Sequence, residues 1–207
     1  LTSDGLLWTV PDWLHSTTAN NDNRSPSVTG LGQGEFFVSW QTTDTFGGRA
    51  GSDNDTATSF YSPATRPLGA VVPALGTWSA PSLLQLYMNA DTANDISPYS
   101  LHHWTHGVET LTVAYVSDFD LAGTIGTDMD LLFCQATKPV GGSWTPFAFA
   151  RPLNADATTD ATSSQDTQVH IAAAPGLLAA AWVQQAAEDQ ATVKVSYSVD
   201  GGKTWCA

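Results

Sequence analysis

The segment that decides the fold of this 207-residue chain is Ser198–Trp205, which reads SVDGGKTW. Three earlier segments also end in, or centre on, Trp within a short Gly-containing run: TSDGLLW at Thr2–Trp8, LGTWSAP around Trp78 and GGSWTPF around Trp144. Successive tryptophans are 70, 66 and 61 residues apart. A period of this length predicts a chain built from similar supersecondary units.

A second set of matching residues supports the same repeat. VSW, ending at Trp40, is followed by QTTDTFGGRAGSDND, and VAY, ending at Tyr115, by VSDFDLAGTIGTDMD. The third copy keeps only LLAAAW, ending at Trp182. We therefore treat residues 1–207 as one repeat domain with units of about 9–78, 79–144 and 145–205. The matching positions are Gly48 with Gly123, Gly51 with Gly126, Asp53 with Asp128, Asp55 with Asp130, and Ser25-Pro26 with Ser97-Pro98.

Short β-branched and aromatic segments recur inside each unit and predict strands. They are EFFVSW, LTVAYV and LLAAAWV, followed by TATSFY, LLFCQA and VKVSYS. Leu177–Ala191 is rich in Ala, Leu and Gln and has helix propensity, but its aligned partners predict strand. Tyr61, Tyr115 and Tyr197 are expected in the core of these strands. The sequence thus predicts an all-β protein of about three four-stranded antiparallel blades, an incomplete β-propeller or part of a six-bladed one.

Composition narrows the class of protein. Hydrophobic residues make up 42% of the chain, which excludes general disorder. The net charge of −13 makes this an acidic protein that repels nucleic acid, and no apolar run is long enough for membrane insertion. Because the chain lacks an initiating Met and a signal peptide, we interpret it as a processed mature protein or as part of a longer one. The localisation we expect is extracellular or at the cell surface, as for a secreted protein.

Neither the cysteines nor the glycosylation sequons establish the compartment of the protein. Cys134 and Cys206 are too few for a disulfide scaffold and are spaced wrongly for zinc, and their pairing stays open. Sequons at Asn23 and Asn54 are possible glycosylation sites.

The segment Ser198–Trp205 matches the Asp-box pattern (Ser/Thr, any, Asp, any, Gly, any, Thr, Trp) at every specified position. The chain here resembles the Asp-box (BNR) repeat proteins, the sialidase-like β-propellers. In such a corner, Asp200 would accept backbone N–H bonds, Gly202 would supply a permissive φ and Trp205 would bury its indole. Ser198 and Thr204 complete the pattern, whose role is structural.

The resemblance implies sialidase chemistry as one alternative. Such enzymes hold the substrate carboxylate with three arginines and use a Tyr nucleophile, a Glu and an Asp acid/base. Arg24 in NRSPSV, and Arg49 followed by Asp53, are the candidates in this chain. No third arginine can be assigned, so a sialidase-type glycoside hydrolase, or a fragment of one, is the second choice.

The preferred interpretation is a non-catalytic extracellular module that recognises or assembles with a glycan or a protein; a purely structural assembly protein is a further alternative. Trp13, Tyr99 and Trp104 are candidates for stacking on sugar rings. Because a propeller usually needs at least four blades, ring completion is expected from the rest of a longer chain or from another subunit.

Two clusters raise the question of metals. Asp53/Asp55 and Asp128/Asp130 each alternate i, i+2 in a Gly-rich loop and could hold calcium, although solvated turn acids are the simpler interpretation. No other cofactor is expected. His102, His103 and His106 are predicted to lie on a hairpin loop, with Trp104 partly exposed, rather than in a zinc site.

Overall fold

The computed structural model describes residues 14, 21–46, 53–64, 76–85, 88, 91–105, 107–121, 123, 125–126, 128–153, 157, 164–187 and 190–206. These residues form twelve β-strands and, within the described ranges, no α-helix. The strands make three antiparallel sheets, here named A, B and C. The prediction of an all-β protein is confirmed.

Neighbouring strands in each sheet follow one another along the chain and pair antiparallel, except that β5 pairs with β3. Sheet A has the order β1-β2-β3-β4, with β5 also pairing with β3, sheet B the order β6-β7-β8-β9, and sheet C the order β10-β11-β12. The strands are β1 (Asn23–Gly32), β2 (Glu35–Thr42), β3 (Asp55–Ser62), β4 (Thr77–Trp78), β5 (Ser82–Leu83), β6 (Asp95–Thr105), β7 (Val108–Ser117), β8 (Asp130–Lys138), β9 (Arg151–Pro152), β10 (Gln165–Ala174), β11 (Leu177–Ala187) and β12 (Gln190–Ser198).

The Ala-rich segment is a strand, as the repeat alignment predicts. Leu177–Ala187 pairs with β10 on one side and with β12 on the other. Its backbone groups are therefore bonded in two ladders, and this tertiary pairing overrides the helix propensity of Ala, Leu and Gln.

The hairpins β2–β3 and β7–β8 share one register. Phe36 opposes Tyr61 and Leu111 opposes Ala136, so each residue of the second hairpin lies 75 positions after its counterpart. At the other end, Thr42 opposes Asp55 as Ser117 opposes Asp130. The gapless sequence alignment and the strand pairing therefore agree residue by residue.

Two hydrophobic clusters fill the spaces between sheets. Phe37 of sheet A packs with Tyr115 and Leu132 of sheet B. On the opposite face of sheet B, Phe133 packs with Trp182 of sheet C. Because successive strand residues point to opposite faces, β8 serves both clusters, and sheet B is covered on both sides.

The outer face of sheet C is exposed, whereas the matching face of sheet B is buried. By strand pairing, Val193 of sheet C has the position that Leu131 has in sheet B, and Val195 has the position of Phe133. Leu131 and Phe133 are buried, whereas Val193 is 71% and Val195 59% exposed. Tyr197, expected in the core, is 46% exposed, so that expectation is wrong. Among the described residues, no further sheet covers this face of β12.

The prediction that His102 and His103 lie on a hairpin loop is wrong. His102 and His103 lie within β6, not on a hairpin loop, because β6 pairs with β7 as far as Thr105 opposite Val108. Trp104 is exposed as expected, and His106 lies outside the described residues.

The two cysteines are both free. Cys134 is buried in sheet B, and Cys206 is exposed beside β12. They therefore form no disulfide with each other.

Candidate functional site

The corner Ser198–Trp205 is closed by side-chain hydrogen bonds. Asp200 Oδ1 accepts the backbone N–H groups of Lys203 and Thr204, both at 2.9 Å, and the Ser198 hydroxyl at 2.8 Å. The Thr204 hydroxyl donates to Asp200 Oδ2 at 2.7 Å. These bonds, led by those from Thr204, hold the pKa of Asp200 well below its usual range. Gly202 has φ of 91°, a conformation that favours glycine.

This corner also joins sheet C to sheet B. Trp205 meets Phe133 edge to face, with ring centroids 5.6 Å apart. The side-chain amide of Gln135 donates to the carbonyl oxygen of Gly201 at 3.0 Å. An added Cβ on Gly201 would lie 2.3 Å from the Thr105 methyl group. The corner is therefore an inter-sheet contact as well as a turn.

The other tryptophans of the repeat differ in surroundings. Trp144 lies near Phe60 of sheet A, at 6.5 Å between ring centroids, so it too contacts the preceding sheet. Trp78 packs on Tyr61 of its own sheet and is 41% exposed. Trp78 therefore has no preceding sheet to cover it within the described residues.

The first strands of the three sheets carry the same irregularity at matching positions. The pairing register shifts between Arg24 and Ser27 in β1, between Ile96 and Tyr99 in β6, and between Thr167 and His170 in β10. Each of these bulges holds one non-glycine residue with a left-handed backbone: φ is 50° at Ser25, 53° at Ser97 and 55° at Gln168. Strained bulges of this kind concentrate at functional sites.

The three bulges line one cavity of about 500 Å³, here called the first-strand cavity. Hydroxyls of Ser27 and Ser100 lie 3.0 Å apart across sheets A and B. Tyr99 and His170 meet edge to face across sheets B and C, with centroids 4.8 Å apart. None of the described residues that line this cavity is Asp, Glu, Lys or Arg. The cavity therefore offers hydroxyls, amides and ring surfaces, without charged side chains.

A larger cavity of about 910 Å³ lies between sheet A and the segment 143–149. Its lining includes Phe60, Trp144 and Phe147, which pack on the hydrophobic cluster between sheets A and B. It is a gap beside the core and shows no repeated feature of the three sheets.

Carboxylates gather where sheet A meets the segment that leads into β6. Oxygen atoms of Asp53, Asp55 and Asp91 lie within 4.8 Å of one another. Asp55 is 1% exposed, and neither of its carboxylate oxygens has a hydrogen-bond partner among the residues that the structure describes. We call Asp53, Asp55 and Asp91 the carboxylate cluster.

Electrostatics at this cluster are unfavourable to ionisation. Burial, followed by the charges of Asp53 and Asp91, raises the pKa of Asp55 to about 8. Burial, with smaller contributions from Asp53 and Asp118, raises the pKa of Asp91 to about 6. The nearby Asp95 is buried, and burial raises its pKa well above the usual range. None of the ion pairs formed between described residues includes any of these acids.

The sequence-based candidates separate in the structure. Arg24 is exposed and pairs with Asp22, while Arg49 and Trp13 lie outside the described residues. Asp53 and Asp55 belong to the carboxylate cluster, whereas Asp128 and Asp130 lie at the corresponding end of sheet B. The sequence does not join Asp91 to this cluster, because Asp91 belongs to the next repeat. The available signal is the segment NADTAND at Asn89–Asp95, which recurs as NADATTD at Asn154–Asp160.

One of the two adjacent histidines of β6, His103, has a structural role. His103 is buried, with Nε2 at 2.8 Å from the Thr112 hydroxyl and Nδ1 at 3.0 Å from that of Thr105. Burial, with the charge of His102, lowers the pKa of His103 to about 4, so this ring is neutral at pH 7.

No protein-family model matches the chain, and no curated protein matches it. In the described part of the chain, no helix is long and apolar enough to cross a bilayer.

Proposed function

We propose that the chain is a non-catalytic, extracellular recognition module of the β-propeller type that binds a neutral glycan in the first-strand cavity. One observation supports this above all others: three equivalent bulges, each with a left-handed residue, converge on a single cavity. A repeated irregularity that costs backbone energy in every repeat is best explained by a shared ligand.

The chemistry of the lining favours an uncharged, hydroxylated ligand. Serine hydroxyls and the Gln168 side chain can both donate and accept hydrogen bonds, as sugar hydroxyls do. Tyr99 presents an aromatic ring, and apolar faces of sugar rings pack well on such surfaces.

The sialidase alternative is less well supported. Asp53 shares its surroundings with Asp55 and Asp91, and three acids at one point disfavour a further carboxylate from a substrate. Arg24 is engaged with Asp22 at the surface. A purely structural assembly role would leave the three strained bulges without an explanation.

The test is binding to an array of neutral and sialylated oligosaccharides, followed by titration of the best neutral ligand. We expect Tyr99→Ala to weaken binding by about 10-fold, because it removes the stacking surface. Trp104→Ala is the matched control, since Trp104 is an exposed aromatic on the same strand outside this cavity, and it should bind as the wild type does.

Two results would contradict the proposal. One is a Tyr99→Ala variant that binds neutral glycans as tightly as the wild type, or a wild type that binds none. The other is hydrolysis of a fluorogenic sialoside that disappears in Arg24→Ala and Asp53→Asn, which would establish the enzyme instead.

A further inference from the structure

We propose that the carboxylate cluster of Asp53, Asp55 and Asp91 binds one Ca²⁺ ion that fastens sheet A to sheet B. This site is separate from the first-strand cavity, whose lining contains none of the three residues. It changes the sequence-based calcium hypothesis, because Asp91 takes the place of Asp128 and Asp130.

The buried Asp55 is the observation that points to a ligand. An exposed cluster of acids can remain hydrated, but Asp55 is 1% exposed and both of its oxygens lack hydrogen-bond partners. A buried carboxylate without a partner is unfavourable unless it is protonated or bound to a cation. Among the described residues, one oxygen of Asp53 is also without a partner, so Asp53 and Asp55 present free lone pairs to the point that Asp91 shares with them.

The donor set indicates calcium. All three ligands are hard carboxylate oxygens, whereas zinc prefers nitrogen and sulfur ligands. Oxygen atoms within 4.8 Å of one another are close enough to bind one ion together. Ca²⁺ accepts such carboxylate oxygens in a flexible geometry, at about 2.3–2.6 Å. Magnesium needs shorter distances of about 2.1 Å and a near-ideal octahedron.

The surrounding hydrogen bonds explain how the ligands are positioned. Asn54, between Asp53 and Asp55, donates through its side chain to Asn94 at 2.9 Å, and its carbonyl oxygen accepts the N–H of Asp95 at 2.6 Å. Asn94 donates its own N–H to Asp118 at 2.6 Å. The two segments that carry the ligands are thereby tied together across the sheets, and an ion between them would add a clamp.

The experiment uses the full chain after treatment with a chelator. Calcium chloride is titrated at pH 7.5 by calorimetry, and Tm is measured with and without calcium. We expect saturable binding and a higher Tm in calcium, with magnesium at equal concentration giving a weaker response. Asp53→Asn should raise the Kd for calcium at least about 10-fold, since a charged ligand is lost.

Asp55→Asn separates a ligand role from a role in folding. An amide cannot ionise and keeps the size of the carboxyl group, so the calcium-free variant should melt no lower than the calcium-free wild type, yet its Tm should not respond to calcium. Asp22→Asn is the control, because it removes an exposed carboxylate directly before β1, outside the cluster, and should respond as the wild type does.

The proposal would be overturned by a wild type that shows neither binding heat nor a Tm shift with calcium. It would equally be overturned if Asp53→Asn and Asp55→Asn responded to calcium as fully as Asp22→Asn. If Asp55→Asn proves unstable, the half-buried Asp53 gives the deciding comparison.

Discussion

Asp55 shows how one residue can link stability to pH. Without a metal, the folded chain holds a proton on Asp55 up to a pKa of about 8, against 3.8 for the ordinary side chain. An acid whose pKa is raised by folding destabilises the folded state as pH rises from the unfolded pKa to the folded one. Asp91, with a pKa of about 6, acts in the same direction over a lower range.

We therefore expect the Tm of the chelator-treated chain to fall between pH 6.5 and 8. This window avoids the opposing contribution of His103, whose stability effect is complete above its ordinary value of 6.5. Thermal melts across this range, with Asp55→Asn as the comparison, measure the effect; the variant should show a smaller decline. A decline of equal slope in both proteins would be evidence against this origin.

The sequence alone indicates two of the three acids of the carboxylate cluster. Asp53 and Asp55 stand out through their i, i+2 spacing in a Gly-rich loop. Asp91 could not be joined to them, because contact between a loop of one repeat and the linker of the next depends on how sheets pack. The interpretation of these acids as solvated turn residues is wrong for Asp55, which is buried.

Among the elements, the corner between sheets C and B offers the clearest test. Gly201 has φ of 78°, and an added Cβ would clash with Thr105 of sheet B. Gly176 has φ of 74°, and an added Cβ would meet nothing within 4 Å. The two glycines therefore share the backbone penalty but differ in the contact between sheets.

We expect Gly176→Ala to lower the free energy of unfolding by about 1–2 kcal/mol, the cost of a left-handed alanine. Gly201→Ala should cost clearly more, because the corner must also move away from sheet B. Denaturant unfolding of the two variants measures the difference. Equal losses would mean that the corner contributes nothing to the contact between sheets.

The strands themselves were largely readable from sequence. β-branched and aromatic residues marked β2, β3, β7 and β8, and alignment with them identified the Ala-rich β11 as a strand. The bulges were only half visible: Ser25-Pro26 and Ser97-Pro98 correspond, but Gln168-Val169 resembles neither. Local sequence does not specify the third bulge, since its backbone is set by pairing with β11.

For the whole molecule, the outer face of sheet C is the feature that most needs a partner. Val193, Val195 and Tyr197 are exposed in one row along β12, a pattern that marks an interface. In sheet B, the matching residue Phe133 is covered by Trp205 of the next sheet. Trp78 of sheet A is the equivalent tryptophan, and within the described residues it has no preceding sheet to cover.

These two open surfaces complement each other. Sheet C of one copy could receive the Trp78 corner of another copy as sheet B receives the Trp205 corner. If both copies do this, the contact closes on itself and brings six sheets together. We therefore expect a second copy of this chain to cover the face.

Sedimentation equilibrium of the purified chain at about 50 μM tests most directly whether the three sheets are equivalent repeats that need a neighbour on each face. We expect a dimer that Val195→Lys dissociates and that Val140→Lys, at an 88% exposed valine elsewhere, leaves intact. A wild-type chain that sediments as a monomer, indistinguishable from Val195→Lys, would contradict it.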